Sequence, residues 1–324
     1  MGLPVMTLPQ NPVLATHGGK FHCDEVFAYA VLRLALGLHT AGADHTLRRT
    51  RKPELIDTAD IVFDVGTTFD TASYRFDHHQ RGAPLRPDGT PFSSAGLIWQ
   101  VFGERAVAAL LQPAGAADFA ALIAAELDQK LVRRIDELDN GVSASGPVVD
   151  DPLGLAALIG DFNPAWDDPA ANGPSAGDAG FMAAAAFAEA VLRRRVDGLR
   201  ARYAAEAFVL AAHQAGADPR ILVLDRGMPW KSAVFTHDLP VIYGVSPASN
   251  GNWMVDTMPP EPGSFCQRLP LPEAWAGLQG AELAAETGVA DAVFVHVRRF
   301  VAAAGSRAGA IALAQLALAS AASP

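Results

Sequence analysis

Val13-Leu14-Ala15-Thr16 is a short apolar run that gives way to Thr16-His17-Gly18-Gly19-Lys20-Phe21-His22-Cys23-Asp24-Glu25. From about Asp24 to Leu36 the apolar residues take helical spacing through Phe27, Ala30, Val31 and Leu34. Strand, glycine turn and helix form the first half of a βαβ unit, which commits a chain to parallel pairing. Asp60-Ile61-Val62-Phe63-Asp64-Val65-Gly66 adds a run that is apolar at nearly every position, as suits a parallel strand covered on both faces. Open α/β sheets place their sites beyond the carboxyl ends of the strands. His17, His22 and Asp24 fall in that position after the first run, and Asp64 interrupts the other near its end. A buried carboxylate needs a partner or a metal.

Tyr74-Arg75-Phe76-Asp77-His78-His79-Gln80-Arg81-Gly82 carries three consecutive metal-competent side chains after an aromatic run. Successive strand residues point to opposite faces, so Asp77, His78 and His79 converge only where the strand ends and the backbone turns. An acidic pair closes a predicted helix from about Ala117 to Leu138, where Asp136 and Asp139 precede the stop signal Asn140-Gly141. Acids at a helix carboxyl end oppose the macrodipole and call for a compensating cation.

Oxygen and imidazole donors of this number suffice for two cations. Two metals ~3.5–4 Å apart clamp an in-line phosphoryl displacement and activate a bridging water. Asp64, central in the predicted sheet, is the expected bridge. Mixed Asp and His ligation favours Mn²⁺ ahead of Mg²⁺ or Zn²⁺.

Composition narrows the class. Two distant cysteines among 324 residues argue against a disulfide scaffold or a thiolate zinc site. No apolar run reaches the ~20 residues of a membrane span, and the start shows no secretory pattern, so a cytoplasmic setting is expected. A net charge of −10 disfavours a wrapper of long nucleic acid and favours short substrates.

Elsewhere, Ser93 or Ser94 is a candidate cap for a helix to about Leu111, and Val148 to Ala179 reads as a long surface segment. A helix from about Phe181 to Ala212 follows. Strands are expected at Arg220–Leu224, Ala233–His237, Val241–Val245, Trp253–Thr257 and Ala292–Val297, with helices near Ala281–Thr287 and Arg307–Ala319. The layout is α/β: a mostly parallel catalytic domain (1–178), a linker helix (179–215) and a smaller α+β substrate domain (216–324). A cleft between the domains is the expected active site.

The opening motif Thr16 to Glu25 resembles that of the melanocyte proliferating gene family, and Asp77-His78-His79 with Asp64 resembles the DHH phosphoesterase superfamily. Tyr74–Gly82, Ser93–Leu97, Ile135–Gly141, Asp225–Gly227 with Pro229–Lys231, Arg268–Leu278 and Phe294–His296 match further blocks of that family. The resemblance implies a two-domain, metal-dependent phosphodiesterase, described in eukaryotic relatives as a 3′-5′ RNA exonuclease. By motif position His17, His22, Asp24, Asp64, His78, His79 and Asp136 or Asp139 hold the metals. Asp77 then supports the histidine pair and is counted with Asp64, His78 and His79 as catalytic. Candidate substrate contacts are Arg81, Ser93, Ser94, Lys231, Arg268 and His296. Of His78 and His79, one is expected to ligate metal and the other to face the phosphate or leaving group. Where the family has a Gly-Gly turn before its last helix, this chain has Ala302-Ala303.

The leading expectation is hydrolysis of short or single-stranded RNA. A small-molecule phosphohydrolase acting on pyrophosphate, nucleotides or dinucleotides is the alternative, and a metal-binding regulatory protein without turnover is a third. A homodimer is left open.

Overall fold

The computed structural model describes residues 8–112, 115–143, 148–149, 151–173 and 175–321. They divide into two compact units, one up to Arg200 and one from Ala201. That boundary falls inside the helix expected as a linker.

The first unit begins β1 (Val13–Thr16), α1 (Cys23–Leu36), β2 (Thr46–Arg49), α2 (Pro53–Ile56) and β3 (Ile61–Phe63). Short β4 (Phe69–Asp70) and β5 (Arg75–Phe76) complete a five-stranded sheet of order β2-β1-β3-β5-β4. All pairings are parallel except β4 with β5. β1 is joined to β2 on one side, and the chain then crosses to place β3 on the other. The order reverses at β1 and β3, and a crevice opens at their carboxyl ends.

The apolar runs are continuous because both faces are covered. Ala15 and Val62 pack with Ile56, Ala59 and Val65, and the alternate residues Leu14, Ile61 and Phe63 are fully buried. α1 and α3 (Ser94–Leu111) pack closely, bringing Phe27 and Trp99 rings within 5.9 Å. Gly37 stops α1 in the left-handed conformation, where a Cβ is penalised.

The segment expected as one helix from Ala117 is composite: a 3₁₀ turn, α4 (Ala120–Leu127), a π-helical turn over Asp128–Val132, and α5 (Arg133–Asn140). Gly141 ends it in the left-handed region, as Asn140-Gly141 predicts. The reading of Val148–Ala179 as bare surface segment is corrected: it contains α6 (Leu155–Gly160), whose Ile159 is fully buried. α7 (Asp178–Ala215) is longer than expected at both ends.

The second unit has β6 (Ile221–Val223), α8 (Lys231–Thr236), β7 (Tyr243–Pro247), β8 (Trp253–Thr257), α9 (Gly280–Thr287), β9 (Ala292–Val295), β10 (Val301–Ala304) and α10 (Arg307–Ala321). Its sheet, β6-β7-β8-β10-β9, is antiparallel except for β6 with β7. α10 covers it through Ala310, Leu313, Ala314, Ala317 and Leu318.

Two expectations fail here. Ala233–His237 is helical, since a run this short fits either state and the burial of Ala233 and Val234 against Leu222 and Val241 decides it. Ala302 and Ala303 are not a turn. They lie mid-sheet, paired to β8 and β9 and fully buried, so the reversal falls to Gly305-Ser306 instead. Among the described residues no helix is long and apolar enough to cross a membrane.

Candidate metal centre

Three adjacent strands deliver the site. β1 ends at Thr16 and presents His17, β3 ends at Phe63 and presents Asp64, and β5 ends at Phe76 and presents Asp77 and His78. Asp64 takes a left-handed backbone (φ 56°) as the strand ends, a conformation that aspartate tolerates better than most residues. Its two oxygens then separate: Oδ2 lies 3.2 Å from His17 Nε2 and Oδ1 3.2 Å from His78 Nε2.

α1 supplies the acids on the opposite side. His22 is its N-cap, and Glu25 accepts the His22 N–H at 3.0 Å while touching His17 Nε2 at 2.9 Å. Asp24 and Glu25 occupy the first turn, where the helix dipole favours negative charge. Both are fully buried. Asp139, at the end of α5, comes within 3.4 Å of His78 Nε2.

Donor atoms gather in overlapping groups with all members within 4.8 Å: Asp64-Asp77-His78-His79, His17-His22-Glu25, His22-Asp24-Asp139 and Asp24-Glu25-Asp64. The set suits a divalent cation. Asp24 Oδ2 accepts the Ser94 hydroxyl at 2.7 Å, but the buried Oδ1 has no hydrogen-bond partner. A buried carboxylate oxygen without a donor is costly, and a cation removes that cost.

Titration behaviour says the same. Burial would lower the histidines, yet the hydrogen bonds that the His17 ring donates to Asp64 and Glu25 push His17 up to about 10. Burial is likewise outweighed at His78, where the Asp64 bond and the charges of Asp24 and Asp139 push it up to about 9. Burial would raise Asp64, but its bonds to His17 and His78 hold it down at about 2. Asp139 is pushed up to about 9, first by burial and then by Asp24. The cavity draws in positive charge, as protons or as metal.

Asp136 and Asp139 part company. Asp136 is fully buried and accepts from the Ser93 hydroxyl at 2.7 Å, the Gly96 N–H at 3.1 Å and Arg86 Nε at 2.7 Å. A Cβ on Gly96 would collide with that carboxylate, so glycine is needed there. Arg86 also forms a bidentate pair with Asp128 at 2.9 Å on each nitrogen. Asp136 belongs to none of the donor groups above; it joins α5 to the start of α3. Ser93 and Ser94, expected as substrate contacts, are fully buried with their hydroxyls committed to Asp136 and Asp24, which makes them carboxylate supports.

The histidine pair is asymmetric. His78 is 7 % exposed at the side chain and faces three carboxylates. His79 is 58 % exposed, with Nδ1 2.7 Å from Asp77 Oδ1. Asp77 also accepts the N–H of His78 at 2.8 Å and that of Thr67, so it braces the turn. Arg81 is exposed nearby in sequence.

In the second unit, Lys231 lines a cavity of about 890 Å³ with Arg298 and Arg299. Arg268 does not face it freely. Its guanidinium donates to the carbonyls of Leu239 and Val241 at 2.9 Å and stacks on Phe235, which is a structural role. His296 Nδ1 accepts the Arg298 N–H at 3.0 Å.

Sequence reading passed over Glu25 as a donor and Arg86 altogether. Glu25 stood three residues after the cap, the capping-box position. Arg86 left no signal, because its partners lie 42 and 50 residues away.

A parallel sheet with acids and imidazoles gathered beyond three strand ends is the arrangement that metal-dependent phosphoester chemistry requires. The chain belongs to the MYG1_exonuc family, an uncharacterised protein family (UPF0160), whose sequence profile matches residues 13–318. The protein named MYG1 exonuclease in Homo sapiens is 32% identical, over 95% of this chain and 86% of its own length. Its namesake in Bos taurus is 33% identical, over 98% and 87%. RecJ of Thermus thermophilus, solved with Mn²⁺, superposes loosely (TM-score 0.27, 18% identity). That match covers 97% of this chain and 52% of RecJ, so this chain spans about half of it.

Separate replacement distinguishes the histidines. His78→Ala is expected to lose stoichiometric metal, while His79→Ala keeps metal and loses turnover by about 10²-fold or more. Metal titration by calorimetry beside a turnover assay reads both.

A chelated sample gives another test. Raised folded-state values at His17, His78 and Asp139 mean that the folded protein holds more protons than the unfolded chain. Stability of the metal-free protein therefore falls as pH rises, from about 4 through Asp139 and from about 6.5 through the two histidines, until about 9 to 10. Asp139→Asn is expected to flatten that fall and to weaken any stabilisation by an added divalent cation. Melting temperatures at several pH values, with chelator and with Mn²⁺, check it.

Proposed function

We propose that the chain is a 3′-5′ exonuclease acting on short or single-stranded RNA, with two Mn²⁺ ions held by His17, His22, Asp24, Asp64, His78 and Asp139. The observation that carries the reading is the pocket of buried acids, Asp24, Glu25 and Asp64, around a carboxylate oxygen that has no donor. Such a pair of cations neutralises phosphoryl charge and lowers the pKa of a bound water. Asp64 would hold both ions, since its oxygens diverge towards His17 and His78. Asp77 fixes the His79 ring by taking Nδ1–H, which leaves Nε2 to meet the phosphate or the leaving oxygen. The names of the mammalian relatives support an exonuclease. The net charge of −10 supports a short substrate, because long polyanions need a basic track.

Purified protein with Mn²⁺ and single-stranded RNA labelled at either end tests this. Stepwise mononucleotide release from the 3′ end is the expected result. Turnover of pyrophosphate or dinucleotides alone would move the assignment to a small-molecule phosphohydrolase. Stoichiometric metal without turnover of any phosphoester would leave a binding protein.

A further inference from the structure

Beside the metal-bearing turn lies a cleft of about 530 Å³ that the site described above does not use. One wall is Gly19 and Lys20, between His17 and His22. The other runs from Gly160 to Trp166, with Ala171, Ala176 and Gly177 beyond. Asn163 ties the walls together: its carboxamide oxygen accepts the Phe21 N–H at 3.0 Å and its nitrogen donates to the Phe21 carbonyl at 2.9 Å. The segment that carries Trp166 is thereby held to the turn that carries two metal-competent histidines. Trp166 is 90 % exposed, so its indole contributes little to the core and presents its faces to solvent. Lys20 is exposed and has no ion pair among the described residues. Consecutive Cα atoms are 3.8 Å apart, so the Cα of Lys20 lies within about 11 Å of those of His17 and His22.

An aromatic face, a free ammonium and a carboxylate acceptor at Asp161 describe a nucleotide: a base to stack, a phosphate to neutralise, and an exocyclic amine to accept from. We propose that this cleft binds the nucleotide adjoining the scissile phosphate, with its base on Trp166 and its phosphate on Lys20. The proposal rests on the nuclease reading and deepens it by locating a subsite. An apolar peptide would leave Lys20 unused, and a lone anion would leave Trp166 unused.

The test compares an adenine-containing RNA dinucleotide with its abasic analogue, using the full-length protein and Mn²⁺. In Trp166→Ala the ratio of kcat/KM between the two substrates is expected to fall by about five- to a hundredfold, mainly through KM. Trp166→Phe should recover most of that loss. Calorimetric binding of adenosine 5′-monophosphate should weaken in parallel. Equal losses on both substrates, or no change in the ratio, overturn the subsite and mark Trp166 as structural or idle. If the wild-type protein cleaves neither dinucleotide nor longer RNA, the nuclease reading itself fails, and unaltered adenosine 5′-monophosphate binding in Trp166→Ala then removes the subsite as well.

Discussion

Replacing Asp64 with Asn is expected to lower turnover by about 10³-fold or more, roughly 4 kcal/mol of transition-state stabilisation. The side chain keeps its shape and one acceptor, so circular dichroism should stay unchanged, while the melting temperature in chelator should fall, because His17 and His78 lose the carboxylate that pairs with both. What is lost is the charge at the point where β1, β3 and β5 deliver their residues. Asp64 is the group that stands between His17 and His78, 3.2 Å from each. An amide cannot bridge two cations as a carboxylate does, and its NH₂ would face an imidazole or a metal. Metal stoichiometry by calorimetry should fall with activity. A variant with full activity would remove Asp64 from the centre and, with it, the two-metal reading.

The second large effect concerns stability. Arg86→Met is expected to destabilise the first unit by about 3–5 kcal/mol, because it leaves Asp136 buried without its cation. Arg86 is 6% exposed, bonds Asp136 through Nε and grips Asp128 with both terminal nitrogens. Burial already pushes Asp136 up to about 6 against those bonds. The double variant Arg86→Met with Asp136→Asn should regain part of the loss, since the stranded charge is gone. Denaturant unfolding of the two variants separates this from simple loss of packing on Phe92, which the arginine overlies at 4.7 Å. A double variant no more stable than the single one would locate the cost in that packing instead.

On α5, Asp139 reaches His78 and Asp136 reaches Arg86, although the two acids are only three positions apart. Asp136 is thus a joint between helices, and its exact hold on Ser93 and Gly96 sets where α3 begins. Ser94, the next residue, holds Asp24. The acids of the centre are therefore positioned by a chain of short polar contacts that begins at Arg86.

Local pattern by itself determined a good deal of this protein. Apolar runs of strand length, a glycine turn and helical spacing specify β1, α1 and β3, because these signals lie within a few residues of one another. The same locality placed His17, Asp64 and Asp77-His78-His79 at strand ends, where a parallel sheet makes its crevice. Tertiary structure alone decided the rest. Whether Ala233–His237 coils or extends depended on what its apolar side chains met. Ala302-Ala303 became a buried mid-sheet pair through partners on β8 and β9. The choice between Asp136 and Asp139, the recruitment of Ser93, Ser94 and Arg86, and the inequality of His78 and His79 all depend on groups distant in the chain. A carboxylate's role follows from which donors surround it after folding, and spacing along one strand or helix carries no record of them.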